Sequence, residues 1–469
     1  MTQPGGDELI VNDVQSQLNR TRIAERMRPT TAADVQVAVR NAAAAGKAVA
    51  IAGSRHAMGG QQFLTDGVLI DMSGMNDILE LDAERGIVAV QAGIQWSELV
   101  PRLVELQCSD QRQWGIRQKQ SGADGLSVGG ALGSNVHGRG LAMKPIIEDV
   151  EWFDLVDARG DLQRVTRQSD ADLFRHVIGG YGLFGVLTAV GLRLAPRQKV
   201  ERVVELIEVE DLAAAFERRI ADGFLYGDCQ FAIDPTGDDF LRVGIFSCYR
   251  PVDPATPIPD GQRALSREEW GRLIYLTHTD KASAGRAYTA HYLATSGQIY
   301  WSDLHQMSQY VGSYHALLDR FTGGADPGTD IITEIYVPRA SLAEFMHTAA
   351  EDFRAHDTNL VYGTIRLIEG DNESALPWAR DRFACVIFNL HTPHRPEAVE
   401  KSGADFRRLI DRAIALRGSY YLTYHRFATR AQLETCYPSF RPLLAQKLAR
   451  DPDERFQSDW YRHYRDAPG

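Results

Sequence analysis

The sequence predicts an α+β protein whose helices and strands do not alternate strictly. Three short apolar runs, at 68–71, 78–81 and 87–90, are separated only by turn residues, a spacing that is typical of hairpins. From about Val200 glycine becomes rare, and charged helices alternate with aromatic-rich strands. We therefore expect a glycine-rich first part and a second part that is built on an antiparallel sheet flanked by helices.

The first part begins with clear helix and strand signals. Thr31 is a candidate N-cap with Asp34 three residues later, and Gly46 follows the last helical position, so a helix is predicted between them. The apolar run 49–52 predicts a strand, and apolar residues at helical spacing predict an amphipathic helix over 96–106.

The second part shows the same two periodicities with fewer glycines. Strands are predicted at 331–337, 360–368 and 383–390, helices at 341–355 and 398–416, and loops at 251–260 and 321–328.

Composition limits the possible partners of the chain. Its 469 residues are 44% hydrophobic and carry a formal net charge of −11, so no basic excess exists for a nucleic-acid partner. No apolar run approaches the roughly 20 residues that span a bilayer, and residues 1–8 lack the features of a signal peptide. The five cysteines form no CxxC pair, which favours a reducing compartment over a cysteine-based zinc site. We expect a cytoplasmic protein without a metal.

Three glycine-rich stretches, at 49–60, 121–140 and 172–188, are the main functional signal. Glycine lets the backbone approach a ligand closely, and successive amides in such a turn can hold an anion. The alternatives are an ordinary turn for the first stretch and a hinge for the second. Gly180-x-Gly182-x-x-Gly185 matches the dinucleotide fingerprint by letters, but a helix precedes it and a strand follows, so a Rossmann fold is not predicted.

The ordered motifs AGSRHAMGG, LIDMSGMN, VAVQAGIQWSEL, SVGGALGSNVHGRG and DLFRHVIGGYGLFGVLT resemble the PCMH-type FAD-binding domain of the vanillyl-alcohol oxidase superfamily. Segments 334–338, 364–366 and 451–459 resemble its alditol oxidase and decaprenylphosphoryl-ribose oxidase branch. The resemblance implies a two-subdomain FAD-binding domain at 1–197, a substrate-binding cap domain at 198–417, and a C-terminal segment at 418–469 that returns to the FAD domain.

The resemblance also implies how FAD is held. Alditol-oxidase-like members read Gly-Thr-Arg-His-Ser in the first loop, and that histidine bonds to the flavin 8-methyl group; His56 matches it, with Ala57 in place of the serine. Ala123 stands where some members carry a second, cysteine tether. The positions that resemble cofactor contacts are Ala52, Gly53, Ser54, Arg55, His56, Ala57, Gly59, Gly122, Ala123, Val128, Gly129, Ser134, Asn135, His137, Gly138, Val186 and Tyr421.

On the substrate side the chain departs from the family. Tyr424 stands at the position of a family lysine, and Thr364 stands where a glutamate precedes the matching Arg366. If residues 420–426 form a strand, Tyr424 and Arg426 share one face and His425 lies on the other. We expect Tyr424, His425 or His137 to act as the base, with Tyr424 as a phenolate favoured by an adjacent cation, and Arg366 to stabilise alkoxide charge.

The implied function is FAD-dependent oxidation of an alcohol CH–OH group in a sugar, polyol or related compound, by hydride transfer to a covalently bound flavin. Oxygen or another acceptor would re-oxidise the flavin, and the sequence does not predict the oligomeric state. Two alternatives stay open: a reductase of the same fold that draws on NADPH, and a flavin-binding protein without turnover.

Overall fold

The computed structural model describes residues 9–308, 314–323 and 326–466. The predicted lack of a signal peptide rests on residues 1–8, which lie outside the described residues, as do residues 324 and 325 of the predicted loop at 321–328. Phe321 of that loop belongs to a helix instead. The α+β class is confirmed.

The first part of the chain forms two main sheets. Strands β3, β5 and β4 form a parallel sheet in that order, and β10-β9-β11-β7-β6 form an antiparallel one with β8 beside β11. The strands are β1 (Leu9–Val11), β2 (Thr21–Ile23), β3 (Glu25–Met27), β4 (Val49–Ala52), β5 (Val68–Asp71), β6 (Ile78–Asp82), β7 (Ile87–Gln91), β8 (Trp114–Ile116), β9 (Val150–Val156), β10 (Leu162–Thr166) and β11 (Val186–Pro196). The helices are α1 (Ala32–Ala44), α2 (Trp96–Leu106), α3 (Val128–Ser134) and α4 (Ala171–Val177).

Local signals predict these elements better than they predict pairing. Thr31 and Asp34 form the predicted capping box of α1, and β6 and β7 form a hairpin. The prediction that 68–71 joins the same hairpin series is wrong, because β5 pairs parallel with β4. All four residues of β5 are buried, and burial on both faces is typical of parallel strands.

The second part is built on one large antiparallel sheet. Within the described ranges, eight strands pair in the order β15-β12-β14-β13-β17-β18-β16-β19. The strands are β12 (Lys199–Glu208), β13 (Tyr226–Phe231), β14 (Val243–Pro251), β15 (Ile299–Trp301), β16 (Gly328–Pro338), β17 (Leu360–Ile368), β18 (Phe383–Pro393) and β19 (Ser419–Tyr420). The helices are α5 (Val209–Ala221), α6 (Arg267–Thr279), α7 (Lys281–Leu293), α8 (His315–Thr322), α9 (Leu342–Ala355), α10 (Pro396–Ala415), α11 (Arg430–Cys436), α12 (Phe440–Arg450) and α13 (Asp459–Asp466).

The two faces of this sheet have different roles because side chains alternate along a strand. On β16, Ile331 and Ile335 point into a core that includes residues of α9 and α10. Asp330, Ile332 and Glu334 alternate with them and line a large cavity. One face of the sheet therefore packs against helices, and the other face lines the cavity with side chains that include Asp330 and Glu334.

The end of the chain contacts the first part of the molecule again. Phe456 forms an isolated parallel bridge with Val49 of β4, and its side chain is buried in the cluster that α1 and β5 form. The Val49 amide donates to the Arg455 carbonyl at 2.7 Å. Contacts between distant parts of the sequence thus hold the strand that precedes the first glycine-rich loop.

Candidate functional site

A cavity of about 1320 Å³ lies between the glycine-rich loops and the eight-stranded sheet. Pockets for drug-sized ligands usually measure about 300–1,000 Å³. The cavity therefore has room for a large cofactor and a second, smaller molecule. Residues of all three glycine-rich stretches line it, together with residues of β13, β16, β17 and β18.

The loop after β4 is shaped by close backbone contacts. A Cβ on Gly53 would lie 2.0 Å from Ser127 Oγ, so only glycine fits there. Ser54 Oγ accepts a hydrogen bond from the Ser127 amide at 3.0 Å, which joins this loop to the start of α3. Arg55 has a φ of +62°, a conformation that non-glycine residues rarely adopt outside functional loops.

His56 is held in that loop as a neutral ring with one free nitrogen. Burial lowers its pKa below 6.5, although the charge of Asp13 and a hydrogen bond with the Gly125 backbone act in the opposite direction. The Nε2 edge lies against Gly125, whose Cβ would come within 3.0 Å. Nδ1 is buried and has no hydrogen-bond partner among the described residues. A neutral imidazole nitrogen without a partner can act as a nucleophile.

The structure separates the predicted cofactor residues into two groups. Those that line the cavity are Gly53, Ser54, Arg55, His56, Ala57, Gly122, Ala123, Gly129, Ser134, His137 and Tyr421. Those that lie behind its wall are Ala52, Gly59, Val128, Asn135, Gly138 and Val186. Asn135, for example, donates to Asp371 at 2.9 Å and accepts from the Ile147 amide, so its side chain serves the fold.

Several polar groups beside the first two glycine-rich stretches were not predicted from the sequence as ligand contacts. Gln61 Oε1, Gln62 Oε1, Gln120 Oε1 and Ser121 Oγ are buried, and within the described part of the chain none has a hydrogen-bond partner. Buried polar atoms are normally paired, so these atoms indicate a polar ligand. Gln61 and Gln62 directly follow the AGSRHAMGG motif, and that adjacency was the available signal.

Glu334 lies at the centre of the site, although no role for it was predicted from the sequence. It lies on β16, is 3% exposed, and accepts from three neutral donors: Tyr336 Oη at 2.6 Å, Cys385 Sγ at 3.1 Å and Tyr424 Oη at 3.0 Å. His137 Nε2 lies 2.5 Å from the same carboxylate. An isolated glutamate within the apolar run 331–337 was the signal that could have identified it.

The hydrogen bonds fix the protonation of this pair. Three donors around one carboxyl group match the ionised form, which only accepts hydrogen bonds. The other ring nitrogen of His137, Nδ1, donates to the Gly138 carbonyl at 2.9 Å, so Nε2 can donate to Glu334 only if the ring carries both protons. Burial raises the pKa of Glu334, but the charge of His137 and hydrogen bonds from His137, Tyr336 and Cys385 outweigh it and hold the pKa at about 2. Glu334 is therefore a buried carboxylate, and His137 is its closest partner.

The expectation that Tyr424 is a phenolate is wrong, because its hydroxyl donates to the Glu334 carboxylate and the nearby charge of Arg366 does not offset the rise in its pKa. Burial raises the pKa of Tyr424 well above 10, and the charge of Glu334 raises it further. Tyr424 is therefore a neutral phenol that donates its proton to Glu334 and keeps lone pairs to accept a bond from the cavity, which it lines.

The expected strand at 420–426 ends at Tyr420, and the rest of the segment consists of turns. Side chains replace a strand partner there: Tyr437 Oη donates to the Tyr420 carbonyl and accepts from the Leu422 amide. The predicted alternation of Tyr424 and His425 therefore does not apply. His425 stacks on Phe427, with 5.1 Å between ring centroids, and is not part of the cavity wall. Burial lowers the pKa of its imidazole to about 4.

Arg366 lies on β17 and reaches the cavity from a buried position. It is 6% exposed, and its Nε has no hydrogen-bond partner within the described residues. Strand pairing places it opposite Cys385, which itself contacts Glu334. Arg366 therefore supplies a buried guanidinium beside the Tyr424–Glu334–His137 group.

Neighbouring strands add further unpaired polar atoms to the same face. Four buried side-chain oxygens, one each on β14, β13, β17 and β18, lack a partner among the residues that the structure describes: Ser247 Oγ, Gln230 Oε1, Thr364 Oγ1 and Asn389 Oδ1. Gln230, Thr364 and Asn389 line the cavity. An unpaired buried polar group costs roughly 1–3 kcal/mol. A ligand with several hydroxyl groups would satisfy this row.

The fold and the cavity define a protein with room for a large cofactor beside the glycine-rich loops and for a second molecule against the polar face of the sheet. Comparison with known proteins identifies the cofactor. The family model of an FAD binding domain matches residues 24–166.

Three relatives extend the comparison. A protein named L-gulono-1,4-lactone dehydrogenase from Mycobacterium tuberculosis is 25% identical over 93% of this chain and 94% of its own length. Mouse L-gulonolactone oxidase is 29% identical over 36% of this chain and 37% of its own length. Cytokinin dehydrogenase 3 from rice is 30% identical over 33% of this chain and 29% of its own length.

The chain belongs to the superfamily of PCMH-type FAD-binding oxidoreductases, and FAD is its cofactor. The assignment to the alditol oxidase branch stays a prediction. Within the described ranges, no helix is both apolar and long enough to span a bilayer.

Proposed function

We propose that this chain oxidises an alcohol CH–OH group of a polyhydroxylated small molecule, such as a sugar, polyol or sugar lactone. The row of unpartnered polar side chains on the cavity face of the sheet carries this proposal. Such groups favour a ligand with hydroxyls at several positions, because each new hydrogen bond removes a desolvation cost. The names of two relatives, a gulonolactone dehydrogenase and a gulonolactone oxidase, point to the same substrate class.

Oxidation of an alcohol removes a hydride from carbon and a proton from oxygen. Bound FAD supplies the acceptor for the hydride. Arg366 stabilises the negative charge that develops on the oxygen, since a guanidinium in a water-poor site interacts strongly with an anion. Its unpartnered Nε leaves a donor for that oxygen.

The proton leaves through Tyr424 and Glu334. The substrate hydroxyl donates to Tyr424 Oη while the phenol passes its own proton to Glu334, which lies 3.0 Å away. The phenol is thus neutral before and after the step. Because its pKa is about 2, the protonated Glu334 then gives the proton to solvent water, which restores the carboxylate before the next turnover. His137 holds the carboxylate in position and keeps it ionised.

His56 is proposed to hold the flavin covalently through Nδ1. The new N–C bond would replace one C–H bond of the flavin 8-methyl group and the N–H bond of the ring. Two protons and two electrons would be released, and dioxygen would take up both as hydrogen peroxide. The unpartnered Nδ1 and the lowered pKa support this role.

We propose residues 1–197 as the FAD-binding domain, 198–417 as the substrate-binding cap, and 418–469 as a segment that returns to the FAD domain and brings Tyr421 and Tyr424 with it. A small-molecule alcohol is the proposed substrate, and oxygen or another acceptor the proposed oxidant.

The test is anaerobic reduction of the bound flavin by a panel of sugars, polyols and sugar lactones. Bleaching of the flavin absorbance by at least one member, and not by its deoxy analogue, is the expected result. Reduction by NADPH without any response to alcohols would instead establish the reductase. Lack of response to both would favour a flavin-binding protein without turnover.

A further inference from the structure

A second group of titratable side chains lies at another part of the cavity wall. We propose that His278, Asp330 and His391 bind a divalent transition metal of the zinc type. His278 Nε2 lies 3.2 Å and His391 Nδ1 2.9 Å from the same oxygen, Asp330 Oδ1. The three candidate ligand atoms all lie within 4.8 Å of one another. No metal was predicted from the sequence, in which these three residues are far apart.

The spacing is close to that of a metal site. Zinc binds imidazole nitrogen at about 2.0–2.1 Å and carboxylate oxygen at about 2.0–2.2 Å. Tetrahedral angles then separate two ligand atoms by about 3.4 Å. Widening the two observed separations by a few tenths of an ångström would admit the ion. Two histidines and one aspartate with one remaining position are a common ligand set for zinc.

The orientation of His278 fits a metal ligand. Its Nδ1 donates to the Ile274 carbonyl at 2.8 Å, one turn earlier in α6. Metal-binding histidines usually donate their other ring N–H to a carbonyl or carboxylate in this way. The bond fixes Nδ1 as the protonated nitrogen. Nε2 can then face Asp330 either with a second proton or with a lone pair that binds a metal.

The rest of the group is equally constrained. Tyr314 Oη donates to Asp330 Oδ2, which leaves Oδ1 for the two histidines. The His391 ring occupies space that exists only because residue 328 is glycine: a Cβ there would lie 2.7 Å from His391 Cε1. His315 is next to Tyr314, and its Nδ1 is buried with no partner in the described part of the chain.

The site has an opening toward the cavity. His278 and Asp330 line the cavity, so the fourth position can take water or an oxygen of a bound molecule. Asp330 is four residues before Glu334 on the same face of β16, which places them about 13 Å apart along the strand. The metal would therefore lie about that distance from the Tyr424–Glu334–His137 group. Its binding does not depend on the proposed oxidation.

The alternative is a proton in place of the metal, with a doubly protonated His278 beside an ionised Asp330. A direct measurement of metal binding distinguishes the bound metal from the proton. Holoprotein is dialysed against a chelator, and zinc binding is measured by titration calorimetry and elemental analysis. Cobalt serves as a second probe, because its visible bands beyond the flavin absorbance report coordination.

We expect one zinc per wild-type chain and none in the Asp330→Asn and His278→Gln proteins. Tyr314→Phe should keep the site and weaken zinc binding by roughly 10–100-fold. His347→Gln is the matched control, because His347 forms an exposed pair with Glu351 at 3.3 Å and lies outside the group; it should bind zinc as the wild type does. Retained flavin absorbance and circular dichroism establish that each variant is folded.

The proposal is overturned if the chelated wild type takes up no zinc, or if Asp330→Asn and Tyr314→Phe bind it as well as the wild type. A competing group exists at His137, Glu334 and Cys385. Zinc that survives Asp330→Asn and is lost in Cys385→Ser would assign the metal to that group and would also overturn the proposal.

Discussion

The Glu334→Gln substitution tests the buried charge pair at the centre of the site. Gln has nearly the same shape but no charge, and its amide NH₂ would face the hydroxyl donor of either Tyr336 or Tyr424, which bond to different oxygens of Glu334. At about 1.4 kcal/mol for each pKa unit, lowering the pKa of Glu334 from 4.5 to about 2 contributes about 3 kcal/mol to stability at pH 7. Removing one partner of a buried ion pair typically costs about 3–5 kcal/mol, which agrees with this contribution.

The pH dependence has a defined sign. Because the folded-state pKa is depressed, the contribution is fully present above pH 4.5 and is lost as the pH falls toward 2. The difference in free energy of unfolding between wild type and Glu334→Gln should be about 3 kcal/mol at pH 7 and about 2 kcal/mol at pH 3.5. Urea titrations of the flavin-loaded proteins at both pH values measure it.

The matched control is Glu344→Gln on α9, an exposed position where a change within about 0.5 kcal/mol is expected. A Glu334→Gln protein that unfolds within that margin of the wild type at pH 7 would refute the ionised pair. A difference that grows on acidification would refute the assigned direction of the pKa shift.

Three further substitutions test the proposed roles of single side chains. Denatured wild-type protein should retain flavin fluorescence on a gel, whereas denatured His56→Ala protein should not. The wild-type result should also hold when FAD is loaded at pH 6.5, because the pKa of His56 is lowered below that value. Equal fluorescence in both proteins would exclude the linkage. Arg366→Lys keeps the charge but loses the planar fork, so flavin reduction in stopped flow should slow by about 10²–10³-fold with flavin loading unchanged; a wild-type rate would exclude a role for the guanidinium. Tyr424→Phe removes the first acceptor of the relay and should slow reduction by about a hundredfold or more; a smaller effect than that of His425→Gln, whose ring is outside the cavity wall, would contradict the relay.

Sequence patterns predicted what depends on neighbouring residues. The capping box of Thr31 and Asp34, the strand 49–52 and the helix 96–106 appear with the expected bounds. Each depends on backbone geometry and burial within about a dozen residues, so it can be read from one stretch of chain. The parallel pairing of β5 with β4 could not be predicted in the same way, because it depends on how two distant segments share a core.

In the candidate site, too, features that depend on neighbouring residues were predictable and features that depend on distant residues were not. The position of the glycine-rich loops and of His56 at the cavity was predictable, because close approach to a ligand requires glycine at set positions in the chain. The protonation of Tyr424 was predicted wrongly, because it is set by a carboxylate 90 residues away in the sequence. The sheet brings together Glu334 from β16, Arg366 from β17 and Cys385 from β18 through strand register. A single charged residue in an apolar strand therefore indicates a functional position, but its chemistry follows only from the residues that pair beside it.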